Sequence, residues 1–169
     1  MGSVAMCHHH WMRERYEPRS DFLRAIIAEE VPLTGGEIAE ANLRLLIEMT
    51  RDEDRSNRDW ATFLLAQEET DTPAVREALI RAAKDDDDVV RAEAVLGLAK
   101  RDPPLALPLV QEALRFEVIV GPMLEAAALC AHPSLIPDLR IWAEASDEPF
   151  VDKLASDALA ACEKVAANL

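Results

Sequence analysis

Four nine-residue segments of this chain fall on one frame. They are Arg58-Asp-Trp-Ala-Thr-Phe-Leu-Leu-Ala66, Arg91-Ala-Glu-Ala-Val-Leu-Gly-Leu-Ala99, Gly121-Pro-Met-Leu-Glu-Ala-Ala-Ala-Leu129 and Asp152-Lys-Leu-Ala-Ser-Asp-Ala-Leu-Ala160. Their first residues lie 33, 30 and 31 positions apart. Alanine or leucine holds the fourth place each time (Ala61, Ala94, Leu124, Ala155), and small or apolar residues hold the eighth and ninth. A period of this length is one supersecondary unit. It is too thin to bury its own apolar face, so each copy must stack on the next. Small residues at fixed places serve that stacking, because they let helix axes approach to roughly 8–10 Å. Leu107-Pro108-Leu109 and Ile136-Pro137-Asp138, 29 positions apart, give a weaker echo between the frames.

The residues around the frames read as helix, turn, helix. With 28 Ala and 21 Leu against 5 Gly, the chain is rich in the best helix formers and poor in one of the worst. Ser20 caps a helix running to Glu30, stopped by Val31-Pro32 because the residue before proline avoids the α region. Gly35-Gly36 resets the chain. In the next helix Glu37, Glu40, Arg44 and Glu48 make one narrow polar stripe and apolar residues cover the rest, which predicts burial between neighbours. Further helices are predicted over 57–67, over 74–84, from the Asp85–Asp88 turn through Arg101, and from Pro103-Pro104 to Phe116. Three more run from Gly121-Pro122 to Ala131, from His132-Pro133 and Pro137 to Ala145, and from Glu148-Pro149 to Val165. Proline is tolerated at these starts because the first N–H groups lack intrahelical partners. Connections of about 3 to 7 residues make consecutive helices antiparallel neighbours. The expectation is an all-α solenoid, or superhelix, of about four and a half antiparallel helix pairs and nine helices. Residues 19–169 form a single repeat domain behind an N-terminal extension, residues 1–18, that is flexible or in part an expression remnant.

Within that extended pattern, Asp86-Asp87-Asp88-Val89-Val90-Arg91-Ala-Glu-Ala94-Val-Leu-Gly97-Leu-Ala99 resembles a HEAT repeat of the short bacterial kind also found in phycobilisome lyase subunits. The likeness rests on an acidic turn, then Val-Arg, then small residues. Val75-Arg76-Glu77-Ala78-Leu79 is a looser echo in the other helix of a pair. Gly121 and Asp152 stand where the family prefers arginine, so the later repeats are degenerate. The resemblance spans residues 20 to 165 and implies the fold; it leaves activity open, since most such proteins bind other proteins and few are enzymes.

Charge narrows the partners. Lys and Arg number 18 against 32 Asp and Glu, a net charge of −14. A ligand dominated by phosphate needs clustered Lys and Arg, so nucleic acid and anionic membrane are not expected, and the basic groove of HEAT-like DNA glycosylases has no counterpart. No apolar run approaches the roughly 18 residues of a bilayer span. Cys7, Cys130 and Cys162 are an odd, widely spaced set that fits neither a disulfide framework nor a zinc site, and no export or lipidation signal is seen, so a reducing cytoplasm is expected.

Chemistry-bearing motifs do not emerge. The chain has neither a phosphate-cradling glycine loop nor a Gly-x-Ser-x-Gly elbow, and no His-Glu pairs of the metal-binding HEAT hydroxylases. Cys7-His8-His9-His10 are adjacent residues without the fixed geometry of a metal site. His132, directly before Pro133, reads as a turn or helix-capping residue. Cys130 and Cys162 read as small core residues, and Trp60 as core. Trp142 also reads as core, though an exposed Trp142 would be a binding anchor. No cofactor, metal or catalytic residue is expected.

Acidic turns remain. Asp52-Glu53-Asp54, Asp85-Asp86-Asp87-Asp88, Glu117 and Asp147-Glu148 occupy equivalent turns, which a solenoid stacks into one acidic edge. Capping needs one or two acids per turn, so four in succession exceed it. The expected role is a non-enzymatic adaptor or inhibitor that docks a basic protein through this edge and the concave face, as an immunity protein docks a toxin. The alternatives are a subunit of a bilin lyase, implied only by the resemblance, and a scaffold or homo-oligomer. The latter would cover Phe150, Leu154 and Leu159 of the terminal helix.

Overall fold

The computed structural model describes residues 17–168, and among them are nine α-helices, one 3-10 turn and no strand. The helices are α1 Asp21–Ile27, α2 Glu37–Met49, α3 Arg55–Gln67, α4 Pro73–Ala82, α5 Asp88–Arg101, α6 Pro103–Ala113, α7 Gly121–Cys130, α8 Ile136–Trp142 and α9 Pro149–Ala166. The 3-10 turn, Pro133–Leu135, precedes α8. The all-α class and the helix count match the expectation. Cys7 to His10 and most of the extension 1–18 lie outside the described residues.

Local chemistry sets the helix ends. Ser20 caps α1, its hydroxyl accepting from the Leu23 amide at 3.4 Å, and the chain leaves α1 through Glu29 at φ 60. The helix is three residues shorter than expected, because the left-handed turn at Glu29 closes it before Val31-Pro32 is reached. Gly35 and Gly36, at φ 97 and 93, make the reversal before α2. Thr72 caps α4 through the Val75 amide, Asp102 caps α6 through the Leu105 amide, and both helices open on proline. The 3-10 turn begins at His132, whose ring Nδ1 accepts from the Ser134 amide at 3.2 Å, the capping role expected of it.

The chain divides into two compact units, Met1–Ala61 and Thr62–Leu169, and the division falls inside α3. In the first unit, Leu23, Ile26, Leu33, Ala39 and Leu46 are buried. The expectation that α2 is buried between neighbours is corrected. Only Ala39 and Leu46 are buried there, while Ile38 is 74% exposed and Leu45 41%. A wide apolar face predicts burial only where helices flank it on both sides. Among the described residues of the first unit, α1 and the start of α3 are its only helical company.

In the second unit helix pairs stack in the solenoid manner. α5 packs against α4, α6 and α7, and α9 packs against α7 and α8. α5 is consequently buried from Val89 to Ala99 apart from Arg91, and Glu93 is among the buried residues. α7, enclosed by α5, α6 and α9, buries Gly121 to Leu124 together with Ala126 and Ala127. A helix covered on several sides needs apolar residues all round, and Gly121-Pro-Met-Leu-Glu-Ala-Ala-Ala-Leu129 supplies them with one charge. Arg101, at the end of α5, ties the stack to the preceding turn by donating to the carbonyls of Leu65 at 3.1 Å, Glu68 and Thr70, its distance to the last being 3.2 Å.

Candidate functional site

Each acidic turn stands immediately before or within the start of α3, α5, α7 or α9, and the structure shows what each carboxylate does. In the first unit, the side chain of Asp52 accepts from the Asp54 amide at 2.8 Å. Asp54 accepts from the Ser56 amide at 2.9 Å and hydroxyl at 2.5 Å, and pairs with Arg19 at 2.9 Å. These hydrogen bonds from Ser56, reinforced by the Asn57 amide and Arg19, hold the Asp54 carboxyl below its ordinary range against a smaller opposing effect of burial. Glu53 is exposed.

In the second unit, Asp87 caps α5 through the amides of Val89 at 2.9 Å and Val90 at 3.2 Å, and Asp85 accepts from the Asp87 amide at 3.0 Å. Arg91 donates to the Asp85 carbonyl at 2.6 Å and pairs with Asp88. Three of the four acids thus have tasks in the turn, of which capping is one: Asp85 folds the turn, Asp87 caps the helix and Asp88 engages Arg91. Asp86 and Asp88 are nonetheless exposed. No side chain caps α9; instead the Ser146 amide and hydroxyl donate to Asp152 at 2.9 and 2.6 Å, which fastens the preceding turn to the helix and lowers the Asp152 carboxyl, and Asp147 and Glu148 are exposed.

Two turns of the second unit meet at one hollow. Asp88 and Arg91, from the start of α5, share a hollow of about 410 Å³ with Phe116, Glu117, Val118 and Met123 of the α6–α7 turn and α7. The Trp142 indole N–H donates to the Leu114 carbonyl at 2.9 Å, which ties the end of α8 to the end of α6. Arg115 approaches Asp138 at 3.8 Å beside it. A second hollow of about 430 Å³ is lined by the turn after α4, by α5 and α6, by Phe116 just after α6 and by Met123 of α7, and shares Arg91, Ala113, Phe116 and Met123 with the first. Together they form one groove with an apolar floor, and Phe116 and Val118 stand over it 60% and 70% exposed. Sequence reasoning missed both residues, ending a helix at Phe116 where α6 ends at Ala113. The available signal was Phe116-Glu-Val-Ile-Val120, a β-favouring run between two helices with no strand to pair with.

The other candidates take structural places. Trp60 is 2% exposed, as expected of core, whereas Trp142 is half-buried with its N–H engaged. Cys162 is buried and Cys130 half-buried, its thiol donating to the Pro103 carbonyl at 3.5 Å. Burial, and then the charge of nearby Cys162, push the Cys130 thiol up to about 11. Phe150 is 49% exposed, while Leu154 and Leu159 are half-buried. Among the described residues no group of three or more His, Cys, Asp or Glu is placed to hold a metal ion, and no helix is long and apolar enough to cross a membrane.

Comparison with known proteins agrees with this geometry. Residues 43–117 match the family profile of HEAT repeats. Protein YibA of Escherichia coli K12 is 27% identical over 100 residues, covering 59% of this chain and 36% of YibA, and the same protein of Escherichia coli O157:H7 matches equally. The chain thus spans about a third of the length of these relatives in sequence. The X-ray structure of Escherichia coli YibA superposes with a TM-score of 0.57 at 21% identity, over 82% of this chain and 54% of that one, a likeness of fold.

Proposed function

We propose, from the match of residues 43–117 to HEAT repeats, that this chain is a non-enzymatic module that binds a basic protein. Supporting this reading above all is the hollow of the second unit, where exposed Asp88 and Glu117 accompany exposed Phe116 and Val118; Asp86, Asp147 and Glu148 are further exposed carboxylates of the same unit. Carboxylates of one sign steer a cationic partner to the surface and raise the encounter rate. Apolar residues within the same patch hold it once it arrives. Asp52, Glu53 and Asp54 extend the acidic set in the first unit. A basic toxin neutralised by an acidic immunity protein is the relationship that fits such a surface.

The test separates carboxylates that face solvent from those that hold helices. The chain is used as bait at about 50 mM and about 500 mM salt, within the range where screening of exposed charge changes strongly. The expected outcome is recovery of proteins of high isoelectric point at low salt. The combined replacement Glu117→Gln, Asp147→Asn and Glu148→Gln should weaken it strongly, with the circular dichroism melt unchanged. Capture indifferent to both salt and replacement would sink the reading. Self-association through α9 is the second reading, favoured by Phe150 and by Val165 at 39% exposure; a monomer by light scattering at high concentration removes it.

A further inference from the structure

The groove of the second unit has a shape and a charge balance that describe its occupant. Its floor is Ala113, Met123, Val95 and Leu109, its overhang is Phe116 and Val118, and its two halves measure about 410 and 430 Å³. Such a hollow accepts one large apolar side chain, the geometry in which interfaces concentrate their energy. Around the rim stand Asp85, Asp88, Glu112 and Glu117 against Lys84 and Arg91. Arg91 is already committed to Asp88 and to the Asp85 carbonyl, so the rim as a whole carries more carboxylate than the groove's own cations balance.

We infer that this groove, between the N-terminal ends of α5 and α7, is a peptide-docking site for a partner segment bearing a large apolar residue flanked by Lys or Arg. The apolar residue enters beside Phe116 and against Met123, and the flanking cations meet Glu117 on one side and Glu112 on the other. This rests on the reading of the chain as a binder of basic proteins, and adds where specificity resides. Charge alone favours any basic surface, whereas an apolar pocket inside the charged rim selects basic segments that carry an anchor.

Three synthetic hexapeptides test it: Lys-Lys-Leu-Phe-Lys-Lys, Lys-Lys-Ser-Gly-Lys-Lys and Glu-Glu-Leu-Phe-Glu-Glu. Each is titrated into the full chain labelled with nitrogen-15, following amide shifts to millimolar peptide. The first peptide is expected to bind at least tenfold tighter than the other two, with shifts centred on residues 113–123. Phe116→Ser and Val118→Ser, both at exposed positions, should each weaken it several-fold while leaving the melt unchanged. Equal binding of the two lysine peptides would overturn the groove proposal while leaving the acidic edge intact. Equal binding of the two Leu-Phe peptides would overturn the cationic half of it and count against a basic partner altogether. The absence of shifts with any peptide at millimolar concentration overturns the docking site.

Discussion

At Gly97 an added Cβ would lie 2.8 Å from the Ala66 Cβ, 3.0 Å from the Ala66 Cα and 3.1 Å from Leu79 Cδ1. Two of those atoms belong to another helix whose axis would have to move, so the ordinary helix-propensity gain of alanine over glycine is reversed. Gly97→Ala is expected to lower stability by about 1–3 kcal/mol, read as a lower urea midpoint at unchanged slope. The opposite holds at Ala131, which ends α7 at φ 44 and ψ 43 with a side chain that disfavours that region. Ala131→Gly should raise stability by about 1 kcal/mol in the same measurement. Asp87→Ala removes the acceptor of two α5 amides and should cost roughly 0.5–2 kcal/mol, read in the same measurement. With its thiol pushed up to about 11, Cys130 should react with iodoacetamide at pH 8 far more slowly in the native chain than in urea, followed by mass spectrometry.

At the scale of elements, acid sensitivity follows from the turns. Hydrogen bonds and ion pairs lower the carboxyls of Asp54, Asp71 and Asp152, led by Ser56, Arg76 and Ser146 respectively. A carboxyl lower in the folded than in the unfolded chain stabilises the fold fully above the ordinary aspartate value of 3.8, and that contribution is lost as pH falls through the folded value. Glu68 runs the other way, since burial raises it and acid relieves the strain of its charge. The urea midpoint should therefore be flat near neutrality and fall below about pH 4, with Asp71→Asn flattening part of the fall. The same turns show what a sequence can and cannot tell. α5 was legible in full, because Asp87, the Val-Arg pair and the small residues all act within one helix turn of their neighbours. α2 was misjudged because apolar content records what a helix could bury, while its cover is decided by elements far along the chain. That Asp85 serves the Asp87 amide is a relation set by turn geometry, which the run of four acids does not display. The groove was invisible for the same reason: Phe116 and Asp88 meet only after α6 has folded back.

For the whole molecule, a net charge of −14 on 169 residues repels itself most in the compact state. Raising sodium chloride from about 20 to about 300 mM screens that repulsion and should lift the thermal midpoint by a few degrees, even as it weakens any bound cationic partner. Stability and binding are thus expected to answer salt in opposite directions, which calorimetry and titration on one sample would show. The groove has a consequence for inheritance as well. Every residue lining its two halves falls between Ala83 and Met123. One uninterrupted stretch of gene therefore encodes it, slightly longer than a single repeat. Duplication of that stretch in an ancestral array would have delivered a second groove in one step, and recombination could carry it intact into an unrelated array, so recognition of this kind can spread without the rest of the protein.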